Sequence, residues 1–207
     1  MSGPVTPEDP LSPADDTPAG PTTAANRRLR HHLIEWVVLL VVALGLALGL
    51  RAFVFQTYFI PSGSMEPTLQ IGDRIIVDKL AVDWGTIHRG DILVFKAPAS
   101  ENCSGVRDPI LVKRVIGLPG DSLYSVGNTI YVNGLPLKEG WPHLEPLGAR
   151  TVAPKAHPVV VPANRYFMMG DNHSDSCDSR YWGTIARSAI IGKAFLLVWP
   201  FARIGFL

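Results

Sequence analysis

One long apolar stretch dominates the pattern of hydrophobic and polar positions along this chain. It runs from Leu33 to Leu50 with Glu35 as its only charged residue, and beyond Arg51 it continues to Phe55. At the rise of an α-helix the stretch is roughly 27 to 35 Å long, which matches a hydrocarbon core of about 30 Å. The pattern therefore predicts a single transmembrane helix over residues 31–55.

The residues around this stretch predict its orientation. Arg27, Arg28 and Arg30 precede it, and positive charge favours the cytoplasmic side of a membrane. A cleaved signal peptide also starts with basic residues, but this stretch begins late, is too long and lacks a small-x-small motif behind it. We therefore expect an uncleaved single-pass anchor in the cell membrane, with its N-terminus in the cytoplasm.

The first part of the chain has a different composition. Residues 1–26 are rich in Pro, Ala and Thr and hold few large apolar side chains. Such a segment cannot bury enough apolar area to offset its chain entropy. We therefore predict a disordered cytoplasmic tail over residues 1–30.

Beyond residue 56 the pattern changes to short β-rich runs separated by Gly, Asp and Pro. Asn133-Gly134 is a good two-residue hairpin turn, and other turn signals contain Gly72, Gly90 and Gly120. Because no helical period is sustained, the predicted fold class is mostly β: one transmembrane helix followed by an outward-facing β-rich domain over 56–207. Strands are predicted over 75–77, 92–95, 110–112, 129–132, 159–161 and 166–169.

Two regions of this domain are less clearly patterned. Residues 122–165 are rich in Pro and Gly, which indicates a small inserted subdomain. The apolar segment 194–201 contains Pro200 and is too short to cross a bilayer, so it predicts a closing strand. Its end could either pack into the core or dip into the membrane surface.

Composition limits the classes of partner. The chain has 207 residues and a formal net charge of +1 at pH 7. This length accommodates one anchor and one globular domain, and the near-neutral charge argues against nucleic acid as a partner. Nothing in the composition indicates an oligomer, and we expect a monomer.

Ser64 is the first candidate for chemistry. It lies between Gly63 and Met65, and Pro61 and Pro67 restrict the backbone on both sides, which favours a tight turn that projects a hydroxyl and an N–H group together. A serine hydroxyl is a poor nucleophile unless a base takes its proton. None of the six histidines stands in a sequence context that resembles a Ser-His-Asp triad.

Lys113 is the better candidate for this base. It follows the apolar run 110–112, where strand alternation would turn Lys113 inward and Arg114 outward. Burial lowers the pKa of a lysine towards neutrality, and a neutral amine can act as a general base. The alternative is that Lys113 and Arg114 are ordinary surface charges on an edge strand.

Four motifs that follow this apolar stretch carry a resemblance to a known family. They occur in the order in which bacterial type I signal peptidase (serine protease family S26) has its motif boxes, behind a membrane anchor as in that family. The chain therefore resembles this family over the anchor and most of the outward domain. The motifs are Pro61-Ser62-Gly63-Ser64-Met65-Glu66-Pro67-Thr68-Leu69, Arg89-Gly90-Asp91-Ile92-Leu93-Val94-Phe95, residues 112–121 (VKRVIGLPGD) and residues 170–183 (GDNHSDSCDSRYWG).

The resemblance implies a role for each matching residue. Ser64 would be the acylated nucleophile and Lys113 its general base. The Ser62 hydroxyl would join the Ser64 N–H in the oxyanion hole, and Ser176 would orient the lysine amine. The resemblance also implies structural roles near the site: Met65 would help to shape the pocket, and Asp178 and Arg180 would form an ion pair.

His173 stands where this family usually has arginine, which puts in doubt any tight ion pair at that position. A metal site made of Asp171, His173, Asp175 and Asp178 is not expected, since hydrolysis by a Ser/Lys pair needs no metal, and we expect no cofactor. The two cysteines, Cys103 and Cys177, both lie on the outward side, where disulfides are permitted. They either pair or remain free thiols.

The functional expectation is a membrane-bound serine endopeptidase that removes N-terminal signal peptides from secreted preproteins through an acyl-enzyme. Its partners would be those signal peptides and the lipid bilayer. The LexA-type Ser/Lys proteases carry a DNA-binding domain and no anchor, and β-lactamases need Ser-x-x-Lys where this chain has Pro67. A non-catalytic adhesion module based on Arg89-Gly90-Asp91 is the alternative from another class, but that tripeptide also fits a β-turn.

Overall fold

The computed structural model describes residues 3, 23–101, 103, 109–138, 140–143, 147–148 and 150–207. The described residues divide into two compact units, one that ends at Ala47 and one from Leu48 to Leu207. The predicted disordered tail lies mostly outside the described residues. Helix α1 spans Thr23–Val54 and so overlaps the last part of that predicted tail.

Helix α1 is apolar and long. Its segment His32–Gly49 has a mean hydropathy of 2.2, so its length and composition are sufficient to cross a membrane. The side chains of residues 32–48 are all exposed, as expected of an apolar helix whose surroundings are not protein. The helix ends at Val54, and the first strand follows at once.

The rest of the described chain is mostly β, which confirms the predicted fold class. Two short helices, α2 (Leu80–Asp83) and α3 (Ser179–Trp182), and single 3₁₀ turns interrupt the strands. The strands are β1 (Phe55–Phe59), β2 (Arg74–Asp78), β3 (Ile92–Lys96), β4 (Ile110–Gly117), β5 (Ser122–Val126), β6 (Thr129–Val132), β7 (Leu135–Pro136), β8 (Val159–Val160), β9 (Arg165–Met169), β10 (Ile185–Ala186), β11 (Ile190–Trp199) and β12 (Gly205–Phe206).

The larger sheet has eight strands; Lys113 lies on β4, and Ser64 lies in the connection between β1 and β2. Its order is β1-β2-β11-β3-β4-β9-β10, and β12 pairs with β11. Every neighbouring pair is antiparallel. Strand β4 pairs with β3 from Ile110 to Arg114, whereas β9 pairs with it only from Arg114 onwards. The first half of β4 therefore has one edge that no described strand covers.

The smaller sheet lies within the segment that the sequence marked as a small insertion. Its four strands have the order β7-β6-β5-β8. The predicted Asn133-Gly134 hairpin turn joins β6 to β7, and both residues have the positive φ values that such a turn requires. One apolar cluster includes Leu123 and Ile130 from this sheet and Phe167 from β9, so the two sheets share a core.

The sequence left open whether the C-terminal apolar segment packs into the core or lies at the surface, and its two parts differ in this respect. Ala194 and Leu197 of β11 are buried in the core of the large sheet. The residues that follow turn outward: Phe201 is 73% exposed and Phe206 is 86% exposed. The strand is therefore core, and the aromatic end of the chain lies on the surface.

Candidate active site

Ser64 lies in a single 3₁₀ turn, Gly63–Met65, between β1 and β2. The turn is anchored by Met65, which is almost fully buried in the core together with Leu69. Two backbone hydrogen bonds close it, from Glu66 N–H to Gly63 C=O at 3.0 Å and from Leu69 N–H to Met65 C=O at 2.9 Å. Burial of Met65 therefore holds its neighbour Ser64 at the surface of the core.

Lys113 lies on β4, opposite Leu93 of β3, and only 4% of it is exposed. Its Nζ donates a hydrogen bond of 2.5 Å to Ser64 Oγ. Burial lowers the pKa of Lys113 from 10.5 to about 8, although Asp178 and Asp171 partly oppose this effect by favouring the charged form. The structure thus places a readily deprotonated amine directly against the Ser64 hydroxyl.

Strand alternation predicted that Arg114 would face outward, and this prediction is wrong. Arg114 is also buried, because the loop after β9 and the inserted segment cover its face of the sheet. Its guanidinium donates to both carboxylate oxygens of Asp171, at 2.8 and 2.6 Å, and to Gly90 C=O at 2.7 Å. The ring of Trp141 stacks on it at 5.0 Å. An ion pair therefore occupies the face that the alternation pattern assigned to solvent.

A second buried ion pair joins Arg180 to Asp178, as the resemblance implied. The carboxylate accepts two side-chain hydrogen bonds from Arg180, at 2.8 and 2.7 Å, and it also caps the N-terminus of α3. Arg180 further donates to the carbonyls of Leu147, Arg150 and His173. It therefore ties the loop after β9 to the inserted segment.

Ser62 and Ser176 both lie close to the pair formed by Ser64 and Lys113. Ser62 Oγ is 3.4 Å from Ser64 Oγ. Ser176 is buried, but its Oγ makes no hydrogen bond to any residue that the structure describes, Lys113 included. The implied contact between Ser176 and the lysine amine is therefore not formed in this structure, although both residues line the same cavity.

Close approach between the serine turn and the loop after β9 depends on Gly170. A Cβ atom there would lie 2.2 Å from Ser64 O and 2.4 Å from Ser176 Oγ, which no side chain can accommodate. Glycine therefore allows this loop to pass directly behind the serine turn.

His173 is buried and remains neutral. Its pKa is lowered to about 4, first by burial and then by the positive charge of Arg180. Its ring stacks on that of His143, with 5.3 Å between the ring centres. Asp171 and Asp178 are each occupied by an arginine, so these side chains do not present a free set of metal ligands.

Cys103 and Cys177 are joined by a disulfide in this structure. The bond connects the segment before β4 to the loop after β9, and Cys177 directly follows Ser176. It therefore encloses both Lys113 and the serine that was expected to orient it within one covalent loop.

Two cavities meet at Ser64 and Lys113. The smaller, of about 220 Å³, is lined mainly by apolar residues from the end of β1 and the segment after it, the serine turn and the open half of β4, among them Ile60, Met65 and Leu111. The larger, of about 470 Å³, has a more polar wall that includes Glu101, Asp175 and the disulfide.

Serine hydrolases activate their nucleophile with a base held against the serine hydroxyl, and here the group in that position is the buried amine of Lys113. The sequence comparisons agree that the protein is a serine hydrolase and identify the family within that class. The profile of the family described as signal peptidase, peptidase S26, matches residues 33–199. The chain therefore belongs to the signal peptidase I family of serine endopeptidases.

Two relatives illustrate the extent of the similarity. A signal peptidase I from Leptolyngbya laminosa is 37% identical over 197 residues, which cover 94% of this chain and 93% of the relative. A probable signal peptidase I-2 from Synechocystis sp. is 40% identical over 171 residues, or 81% of this chain and 74% of the relative. Among solved structures, a signal peptidase I from Enterococcus faecalis V583 aligns with a TM-score of 0.39 and 26% identity, covering 52% of this chain and 96% of the other.

Proposed function

We propose that this protein cleaves the signal peptides of secreted preproteins with Ser64 as nucleophile and Lys113 as general base. The observation that carries the proposal is the 2.5 Å hydrogen bond from Lys113 Nζ to Ser64 Oγ, combined with the burial of that amine. Burial brings the pKa of Lys113 to about 8, so a useful fraction of the amine is neutral at moderate pH. Only the neutral amine can accept the serine proton.

The reaction would proceed in two steps. Lys113 takes the proton of Ser64 while Ser64 Oγ attacks the scissile carbonyl carbon, and the resulting ammonium then protonates the departing amine of the mature protein. This leaves an ester between the signal peptide and Ser64. Lys113 next takes a proton from water while the water oxygen attacks the ester carbon. The C–Oγ bond then breaks, Lys113 returns the proton to Ser64 Oγ, and the signal peptide leaves with a free carboxyl group.

Two groups would stabilise the negative oxygen that forms in each step. The first is the backbone N–H of Ser64, which donates to no residue that the structure describes. The second is the hydroxyl of Ser62, whose oxygen lies 3.4 Å from the nucleophile. Donors aimed at a developing oxyanion lower the barrier strongly because they are fixed before the reaction begins.

The substrate would bind as an extended strand. The first half of β4 has an open edge beside Lys113, and a peptide can add to such an edge through backbone hydrogen bonds. The apolar cavity of about 220 Å³ next to Ser64 suits small side chains, which the family resemblance implies at the first and third positions before the cut. These features support a preference for small apolar residues, typically alanine.

The membrane anchor would hold the catalytic domain on the side of the membrane where signal peptides emerge. Helix α1 can cross a membrane, and the basic residues before it favour a cytoplasmic N-terminus. The domain would then work on the extracytoplasmic side, where signal peptides emerge. Its exposed terminal aromatics, including Trp199 and Phe201, would rest at the interface.

Cleavage of a synthetic preprotein by the full chain in detergent tests the catalytic assignment. Ser64→Ala and Lys113→Ala should each abolish the appearance of mature product. Lys155→Ala is the matched control because Lys155 is exposed and remote from Ser64 in the sequence. Full activity in either Ser64→Ala or Lys113→Ala would refute the mechanism, provided that the circular dichroism spectra of the variants match the parent.

A further inference from the structure

Asn172 contacts the serine turn through both its backbone and its side chain. Its backbone N–H donates to Ser64 C=O at 3.1 Å, and its side-chain Nδ2 donates to Gly63 C=O at 3.3 Å. Residues 172 and 63 are 109 positions apart in sequence, so the contact is made by the tertiary fold. One residue thus binds two successive carbonyl groups of the turn that carries the nucleophile.

The carbonyl of Gly63 belongs to the same peptide unit as the N–H of Ser64. In a planar trans peptide these two groups point in opposite directions. A donor bound to Gly63 C=O therefore fixes the direction in which the Ser64 N–H points. Hydrogen bonds on one end of an amide also polarise it, so the N–H at the other end becomes a stronger donor.

The orientation of the Asn172 amide follows from its neighbours. A carbonyl can only accept a hydrogen bond, so the group that faces Gly63 C=O is the NH₂. On the opposite side, the hydroxyl of Ser174 donates to Asn172 Oδ1 at 3.3 Å, as an amide oxygen requires. Both contacts agree on one orientation of the side chain.

The two residues that precede Asn172 keep it in place. The preceding residue, Asp171, is fixed by its buried ion pair with Arg114, the neighbour of Lys113 on β4. Gly170 packs directly against Ser64 O, as described above. The serine turn and the lysine strand are therefore both tied to the loop that carries Asn172.

We propose that Asn172 is a positioning residue that holds and polarises the Gly63–Ser64 peptide so that its N–H binds the oxyanion. The inference rests on the proposed function, in which Ser64 is the nucleophile and its N–H is an oxyanion donor. Asn172 itself does not touch the reacting atoms. Glu66 N–H also donates to Gly63 C=O, at 3.0 Å, so Asn172 strengthens an orientation that the turn already favours.

The test uses a peptide aldehyde that ends in alaninal, together with the corresponding alcohol. Ser64 Oγ adds to the aldehyde carbon, its proton passes to Lys113, and the carbonyl electron pair moves to the oxygen, which then occupies the oxyanion site. The alcohol cannot be attacked and reports binding alone. Asn172→Ala should lower kcat and aldehyde affinity by a similar factor of about 10, less than the loss of a whole oxyanion donor, while KM and alcohol affinity stay unchanged.

Asn172→Asp preserves the shape of the side chain and replaces the donor by an acceptor, so a larger loss of kcat is expected. Asn128→Ala, at an exposed turn position between β5 and β6, should behave as the parent. Unchanged kcat in both Asn172 variants would overturn the inference, as would an equal loss of aldehyde and alcohol affinity. If Ser64→Ala were still active, the proposed function itself would have failed, and that result is separate from the behaviour of Asn172.

Discussion

Replacement of Lys113 by methionine should abolish activity and at the same time stabilise the fold. Lys113 is buried and donates its one hydrogen bond to Ser64, and no carboxylate pairs with it among the described residues. Its amine is therefore held where its charge is poorly solvated, and this lowers the pKa from 10.5 to about 8. Methionine is of similar length and carries no charge to bury.

The size of the effect follows from linkage between protonation and folding. A lysine whose pKa is lower in the folded state opposes folding at every pH below its unfolded pKa. With the two values above, the penalty is about 3 kcal/mol at pH 7 and about 2 kcal/mol at pH 9, and it disappears once pH rises beyond the unfolded value. The Lys113→Met variant also loses the hydrogen bond to Ser64, which costs about 1 kcal/mol of stability. Lys113→Met should therefore be more stable by about 2 kcal/mol at pH 7 and by about 1 kcal/mol at pH 9.

Guanidinium unfolding of the full chain in a mild detergent, followed by tryptophan fluorescence, measures this difference. The most informative quantity is how much the difference in unfolding free energy between Lys113→Met and the parent changes from pH 7 to pH 9. Packing differences between lysine and methionine are the same at both pH values and therefore cancel. Lys155→Met is the control, since this lysine is exposed and its replacement should leave the free energy of unfolding nearly unchanged. An advantage of Lys113→Met that stays constant or grows as pH rises would refute the reasoning.

Three further predictions concern the same site. The kcat/KM of the parent should fall about tenfold per pH unit below the Lys113 pKa of about 8 and level off above it, measured on a synthetic preprotein; a flat profile would exclude Lys113 as the base. Ser62→Ala should lower kcat by about 100- to 1,000-fold with little change in KM, and full activity would exclude its hydroxyl from the oxyanion hole. Cys103→Ser should lower the free energy of unfolding by about 4 kcal/mol, and mass spectrometry of the unreduced parent should find no alkylatable thiol.

Much of the fold could be predicted from the sequence because its strands bury continuous apolar runs. The strand containing Ile75 and the one starting at Ile92 are found where that pattern placed them. Strand β1 was missed because Phe55–Phe59 continues the apolar character of the preceding helix, and no local signal marks the change from helix to strand. Pairing with β2 at the edge of the large sheet determines its conformation.

Only the residues of the site that stand in local sequence motifs could be predicted. Ser64 and Lys113 stand in recognisable contexts, and the structure brings them into contact. The burial of Arg114 was missed because its cover comes from Asp171 and Trp141, both distant in sequence and on irregular segments. The contact of Asn172 with the serine turn was missed for the same reason, since no spacing rule relates a loop to a carbonyl group elsewhere in the fold.

The two buried ion pairs help to explain how Lys113 keeps a lowered pKa although acidic residues lie near it. Buried ion pairs seldom add net stability, because desolvation of both charges offsets their attraction. Here each arginine occupies the carboxylate that would otherwise hold the lysine in its charged form: Arg114 binds Asp171, and Arg180 binds Asp178. The carboxylates still raise the pKa of Lys113, but burial outweighs them, and the amine is left to donate to Ser64. The arginines thus leave Lys113 without a carboxylate partner of its own among the described residues, which favours the neutral amine that its proposed role needs.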